Sequence, residues 1–190
     1  MIGTEVRVVT APDPWVNAGP GAVAVFLAGG IQNCSLWQWD AIALLREIPH
    51  LGEVVVYNPR REDFPMGDPN AARQQIGWEF QMLERAHVFS MWFAASKVSD
   101  DPICMYEMGR HLALRLRDRQ AHLVALGVEP GYRRERDVAI QVELACAEHP
   151  TEYVEVARSL PEHVRDIGLA VLAARAFGEA LRDKGRGVEA

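Results

Sequence analysis

Cysteine is scarce in this sequence, and its spacing argues against metal and disulfide arrangements. The three cysteines, Cys34, Cys104 and Cys146, include no C-x-x-C pair, and the six histidines include no H-x-x-x-H pair. Zinc sites and disulfide frameworks depend on such spacings or on paired cysteines. We therefore expect no disulfide framework, no metal and no cofactor.

The chain also lacks an excess of basic residues and any long hydrophobic run. Its net charge is -6 at pH 7, whereas sequence-independent binding to nucleic acid needs a basic surface. No apolar stretch approaches the roughly 20 residues that span a bilayer, and the first residues do not look like a signal peptide. We expect a cytoplasmic protein that has neither nucleic-acid polymers nor membranes as partners.

What the sequence does contain is a regular alternation of apolar runs and amphipathic segments. Runs typical of strands buried on both faces occupy 22–28, 53–58, 87–93, 121–126 and, more briefly, 152–156. Segments with helical periodicity separate these runs, and a capping box at Ser159 and Glu162 opens a last helix to about Leu181. The pattern predicts an α/β fold: a doubly wound parallel five-stranded sheet in a three-layer α/β/α sandwich.

Helical periodicity predicts which side chains face the core. In the first helix, for which Ser35 is a candidate N-cap, the apolar face comprises Leu36, Trp39, Ala43, Leu44 and Ile48. In the second helix, the residues predicted to point inward are Ile76, Phe80, Met82 and Leu83.

The length fits one domain with a sizeable core, and we find neither repeats nor an internal boundary. We predict that residues 1–20 form an N-terminal arm or an edge strand. Residues 21–182 are predicted to form the single domain, and 183–190 a frayed tail.

Three segments lie beyond the carboxyl ends of predicted strands, at the sheet edge where open α/β folds bind ligands. Gly29-Gly30 allows close backbone approach to a ligand, or forms only a tight turn. Asn58-Pro59-Arg60-Arg61 offers two guanidinium groups for a phosphate or carboxylate, unless the adjacent acidic residues neutralise them in a solvated loop. The third segment, 100–109, places carboxylates on the first turns of a helix.

Four short segments in order resemble the nucleoside 2-deoxyribosyltransferase-like family, especially its branch with an N-P-R-R motif and a W-E helix. They are Phe26–Ile31, Tyr57–Arg61, Gln75–Glu79 and Tyr106–Gly109, and the resemblance covers about residues 22–145. It implies a flavodoxin-like strand order, 2-1-3-4-5. It also implies cleavage or exchange of the N-glycosidic bond of a nucleoside or nucleotide, and a homo-oligomer, because sites in this family often borrow residues from a neighbouring subunit.

The resemblance assigns roles by position. Glu107 matches the nucleophilic glutamate of an E-x-G pattern, Glu79 an acidic residue near the sugar or base, and Asp101 an aspartate that helps to hold substrate. Further substrate-binding positions are Gly29, Gly30, Asn58, Arg60, Arg61 and Gly109. In this chemistry, ionised Glu107 attacks the anomeric carbon, and water or a second base resolves the glycosyl-enzyme. Asp101 or Glu79 is the candidate that protonates the departing base.

Two other readings of the same cleft remain. Well-known transferases of the family carry Tyr or Phe where this chain has Gly29 to Gln32. This difference, with a second basic cluster at Arg133, Arg134 and Arg136, fits a non-catalytic nucleotide-binding or sensor module. A flavodoxin-like electron carrier is a weaker alternative, because no segment resembles a flavin phosphate loop.

Overall fold

A computed structural model of the protein describes residues 4–14, 19, 21–65, 67–118, 122–149 and 154–186, with side chains as far as residue 180. Within this part of the chain, no helix combines the length and apolar character needed to cross a bilayer.

The centre of the fold is a parallel sheet of six strands. They are β1 (Glu5–Thr10), β2 (Val23–Gly29), β3 (Glu53–Asn58), β4 (Val88–Phe93), β5 (Leu123–Val128) and β6 (Val156–Ala157). Their spatial order is β1-β3-β2-β4-β5-β6, and every neighbouring pair is parallel. The doubly wound α/β fold is therefore confirmed. The five predicted strands correspond to β2–β6, and the spatial order β3-β2-β4-β5-β6 is the predicted order 2-1-3-4-5.

The predicted count of five strands is wrong, because the N-terminal segment adds a sixth at the edge. β1 pairs with β3 so that Val8 lies beside Val56. Val6 and Val8 pack against one face of the sheet, and Val9 belongs to the core on the other. Because apolar side chains of β1 point to both faces of the sheet, this strand buries apolar surface on each face.

Helices cover both faces of the sheet and complete the three layers. They are α1 (Trp37–Glu47), α2 (Ala71–Arg85), α3 (Pro102–Arg117), α4 (Glu135–Ala147) and α5 (Leu160–Arg186). One core cluster joins the sheet to α2, α3 and α4, and the other joins it to α1 and α5. β4 is buried along its whole length, as expected for a strand covered on both sides.

The predicted inward faces of the first two helices are partly wrong. α1 begins after Leu36, without a side-chain cap from Ser35, and buries Trp37, Gln38, Ala41, Ile42 and Leu45. The reason is the indole of Trp37, whose Nε1 donates to Gly30 O (2.8 Å) and so turns this residue inward. In α2 the core takes Trp78, Met82 and Leu83, while Ile76 and Phe80 are exposed.

The predicted start of α5 is confirmed. Glu162 N donates to Ser159 Oγ (3.4 Å), and Ser159 N donates to Glu162 Oε2 (3.0 Å), which completes the capping box. Of the strand predicted at 152–156, residues 152 and 153 lie outside the described residues, and of the other three only Val156 falls in β6. α5 runs to Arg186, and 187–190 lie outside the described part.

Candidate active site

A cleft lies at the carboxyl ends of β2 and β4, where the chain order of the sheet reverses. β3 lies on one side of β2 and β4 on the other, and this switch point is where open α/β sheets bind ligands. The cleft has a volume of about 230 Å³. Its lining comprises Phe26, Ala28, Gly29, Gly30, Ile31, Gln32, Pro59, Glu79, Ser99, Asp101, Pro102, Ile103, Cys104 and Glu107.

The glycine pair after β2 forms one wall; Gly29 needs a residue without a side chain, and a side chain at position 30 would force its neighbours to move. Gly29 has φ 147°, and a Cβ atom there would lie 2.2 Å from the carbonyl oxygen of Trp92. A Cβ atom on Gly30 would lie 2.8 Å from Asp101 Oδ2. The backbone therefore approaches the next strand and the cleft carboxylate as closely as packing allows.

Asp101 precedes α3 in the left-handed region, with φ 45°. Its carboxylate makes no capping bond to the helix. Instead, Ser99 Oγ donates to Oδ1 (2.7 Å) and accepts from the Asp101 backbone N (3.0 Å). The second oxygen, Oδ2, is buried and has no hydrogen-bond partner among the described residues. Because a buried carboxylate oxygen is costly to leave unpaired, Oδ2 is suited to accept a bond from a ligand.

The loop that carries Asp101 is tied to the segment after β5. Ala95 N donates to Glu129 Oε2 (2.7 Å), and the hydroxyl of Tyr132 donates to Asp100 O (2.8 Å). Arg133 and Arg134 of the second basic cluster also face the Asp100 carboxylate, at 2.5 and 3.7 Å. These arginines are thus used to hold the loop.

Glu79 reaches the cleft from α2. Its neighbour Trp78 is buried beside Phe26 and Tyr57, with ring centroids 6.2 and 6.5 Å away. With Trp78 held in the core, Glu79 lies at the cleft side of the helix. Gln75 Nε2 donates to Glu79 Oε1 and to Pro59 O, both at 2.8 Å. The carboxylate is therefore anchored to the loop after β3, and burial raises its pKa.

Glu107 enters the cleft from the second turn of α3. Burial raises the pKa of its carboxyl to about 7, and the nearby charge of Glu79 adds to the rise, while Arg110 opposes it. Two carboxyl groups in one enclosed cleft cannot both ionise without cost. Up to about neutral pH, the Glu107 and Glu79 pair therefore retains a proton.

The N-P-R-R segment lies next to this cleft, and of its four residues only Pro59 lines it. Arg60 is buried, and its guanidinium donates to Gln38 Oε1 and Ser35 O, both at 2.7 Å. Arg61 donates to Gln74 Oε1 (3.2 Å) and lies over the ring of Phe64. Asn58 Oδ1 accepts from Arg60 N (3.0 Å). These contacts brace the loop that carries Pro59.

Gly109 also lies away from the cleft. It is exposed on α3 beside α4, where a Cβ atom would meet nothing within 4 Å. The structure therefore brings together five of the nine predicted site residues: Glu107, Glu79, Asp101, Gly29 and Gly30.

Ser99, Gln75 and Cys104 are among the contributors to the cleft that were not predicted for it. The S-x-D spacing before α3 would have suggested Ser99 as the partner of Asp101. Gln75 lies one turn before Glu79, a spacing at which an amide reaches a carboxylate. Cys104 gives no such pattern; it is a buried part of the lining, and burial raises the pKa of its thiol. No group of three or more His, Cys, Asp or Glu in the described ranges could hold a metal ion.

Fold and cleft define a doubly wound α/β protein with carboxylates at its switch point, the arrangement of proteins that act on or bind small molecules there. The chain matches the family model described as nucleoside 2-deoxyribosyltransferase like over residues 22–124, and it belongs to that family. The match ends at the start of β5 and includes every residue that lines the cleft. No curated protein matches the chain. Family membership supports a general role in glycosyl transfer on nucleoside substrates.

Proposed function

We propose that the protein transfers or hydrolyses the N-glycosyl group of a nucleoside, with Glu107 as the nucleophile. The observation that carries the proposal is the pair of half-buried carboxyl groups, Glu107 and Glu79, that line one cleft at the switch point of the sheet. Up to about neutral pH the pair shares one proton, and glycosidic chemistry uses the form in which Glu107 is ionised and Glu79 carries that proton.

In the first step, a carboxylate oxygen of Glu107 forms a bond to C1′ as the C1′–N bond to the base breaks. The electron pair of that bond stays on the base nitrogen, and a proton from Glu79 neutralises the base. In the second step, water or an acceptor base attacks C1′ as the bond to Glu107 breaks, its proton passes to the Glu79 carboxylate, and the sugar keeps its configuration. Water gives hydrolysis, and a base gives transfer.

Glu79 suits the proton-donating role better than Asp101. Its carboxyl is largely enclosed, with a raised pKa, and it is held by Gln75. Asp101 is instead oriented by Ser99 and presents the buried oxygen Oδ2 beside Gly30. We assign Asp101 to a hydroxyl of the sugar, which would donate to this oxygen.

We further propose that the substrate is a neutral nucleoside and not its 5′-monophosphate. The described residues that line the cleft include three carboxylates and no Lys or Arg. Arg60 is already bonded to Gln38 and Ser35, and Arg61 to Gln74. A phosphate would enter a field of negative charge without a cation to receive it.

The test is chromatographic detection of free base after the protein is incubated with single nucleosides and their monophosphates, with and without an acceptor base. Wild type should release base from nucleosides, and Glu107→Gln should lose about a thousandfold or more of that rate. Glu143→Gln, on the exposed side of α4, is the matched control and should behave as wild type. Full activity of Glu107→Gln would refute the nucleophile, and preferred cleavage of monophosphates would refute the neutral substrate.

The competing function, a non-catalytic nucleotide-binding module, predicts a different result. It would show saturable ligand binding by calorimetry without base release after long incubation. We also propose a homo-oligomer, because α2 and α3 expose the large apolar side chains of Ile76, Phe80, Ile103 and Tyr106, which a second copy of the chain would cover. Light scattering coupled to gel filtration measures its mass.

A further inference from the structure

A second cavity lies at the opposite edge of the sheet from the cleft. It has a volume of about 330 Å³, and it is enclosed by α2, α3 and the amino-terminal ends of β4 and β5. Its apolar residues are Leu83, Ala86, Phe89, Leu114, Leu123 and Val124; its polar residues are Glu84, His87, Arg110, His111 and His122. We call it the histidine cavity.

The most telling residue of the histidine cavity is His111. Its side chain is only 6% exposed, and its ring stacks on Phe89 with centroids 4.1 Å apart and planes 7° from parallel. Nε2 is buried and has no hydrogen-bond partner among the residues that the structure describes. His111 lines the histidine cavity, and an unpaired buried nitrogen is costly without a ligand to pair with it.

His87 offers a second donor to the same space. Its Nδ1 accepts from the backbone N of Ala24 (2.9 Å), so the proton of the neutral ring is on Nε2. Burial lowers the pKa of His87, and it lowers that of His111 to about 4. At neutral pH both rings are therefore uncharged, and they contribute hydrogen bonds and not charge.

Arg110 supplies the positive charge. Its guanidinium is ion-paired with Glu84 at the rim and lies over the ring of Phe80, 5.5 Å from the centroid. A guanidinium has five N–H donors, so the one side-chain hydrogen bond of Arg110 within the described ranges, to Glu84, leaves donors for an occupant. The carboxylate of Glu84 repels an anion in the cavity, and the guanidinium of Arg110 attracts it. Removing one or the other charge should therefore change the affinity for an anion in opposite directions.

We propose that the histidine cavity binds a small organic carboxylate, with its apolar body against Phe89 and Leu114 and its carboxylate between Arg110 and the imidazoles. A mixture of apolar wall and convergent polar groups is typical of sites for small molecules. A bidentate guanidinium–carboxylate contact would fix the orientation. This site is separate from the Glu107 cleft, and the proposal stands whether or not the glycosyl chemistry is correct.

The probes are benzoate and its neutral isostere benzamide. Their binding is measured by proton–nitrogen NMR of the full-length labelled protein. Benzoate should shift the amides of Ala86, His111 and Leu123 saturably and leave Gly29 and Gly30 unmoved, and benzamide should bind at least about tenfold more weakly. Equal affinity for the two probes, no saturable shift, or shifts at the glycines of the cleft would each overturn the proposal.

Two charge variants and a control sharpen the test. Arg110→Gln should weaken benzoate binding about tenfold, whereas Glu84→Gln should tighten it about threefold by removing the like charge. Arg73→Gln removes an exposed guanidinium from α2 outside the cavity and should change nothing. All three substitutions are at partly or fully exposed positions, and circular dichroism checks their folding. Unchanged affinity in Arg110→Gln would overturn the proposal.

Discussion

Gly30 and Asp101 approach so closely that a Cβ atom on Gly30 would lie 2.8 Å from Asp101 Oδ2. The same atom would lie 2.8 Å from the sulfur of Cys34. Position 30 therefore determines where the free carboxylate oxygen lies.

Gly30→Ala should displace Asp101 and impair substrate binding more than folding. Overpacking of this kind costs about 1–3 kcal/mol of stability, and we expect KM for a nucleoside to rise about tenfold or more as Asp101 moves. Steady-state kinetics and urea unfolding measure the two effects. Gly109→Ala is the matched control: its Cβ meets nothing, and alanine in a helix should stabilise by about 0.5–1 kcal/mol. Impaired binding in Gly109→Ala would restore that glycine to the site.

The pH dependence of kcat/KM should have a basic limb near pH 7. The mechanism needs one proton on the Glu107 and Glu79 pair, and the pKa of Glu107, about 7, marks the loss of that proton. Because Arg110 lowers this pKa, Arg110→Gln should move the limb to higher pH. Rate profiles from pH 5 to 9 test this. A rate that rises through neutral pH would show that ionised Glu107 suffices without a proton donor.

Replacing Glu107 by Gln should stabilise the protein at alkaline pH. The pKa of Glu107 in the folded protein, about 7, lies above the ordinary value. Between about pH 4.5 and 7 the folded protein therefore binds more protons than the unfolded chain, and it loses stability as pH rises through this range. The glutamine variant escapes this loss and should gain about 1–3 kcal/mol over wild type at pH 8. At pH 4 the two should be nearly equal. Urea unfolding at both values provides the comparison, and a constant difference would contradict the assigned shift.

Substitutions of the two arginines of the N-P-R-R segment should have different effects on the free energy of unfolding. Arg60→Met leaves the buried Gln38 Oε1 without its donor and should cost about 2–3 kcal/mol. Arg61→Met should stay within about 0.5 kcal/mol, since its contacts are at the surface. Neither should alter the ratio of nucleoside to monophosphate cleavage. Loss of monophosphate binding in Arg61→Met alone would show that this residue receives a phosphate.

Strand periodicity and position predicted much of the sheet, because a strand buried on both faces leaves a continuous apolar run. Helix orientation was harder to predict. Ile76 and Phe80 have the same spacing as core residues, and only the contacts of Trp78 with Phe26 and Tyr57 determine which face turns inward. Tertiary packing overrides periodicity there.

In the candidate site, too, some residues could be predicted from the sequence and others could not. Residues at strand ends, Gly29, Gly30 and Asp101, could be placed from topology, because parallel strands end at one edge. The role of Arg60 could not be predicted in this way, because a guanidinium group beside a predicted cleft can equally bind a ligand or donate to a carbonyl oxygen of the protein. Its partner Gln38 lies 22 positions earlier, and no local pattern links them.

The attachment of the Asp101 loop to Glu129 and Tyr132 has a consequence for protein engineering. Exchanging residues 94–101 alone, to graft another specificity, would keep the hydrogen bonds to Glu129 and Tyr132 only where the new loop brings its backbone N at position 95 and its carbonyl oxygen at position 100 to the same places. A functional chimera must carry both segments, although the second begins beyond the part of the chain that matches the family model. The transferable unit of this active site is therefore discontinuous in sequence.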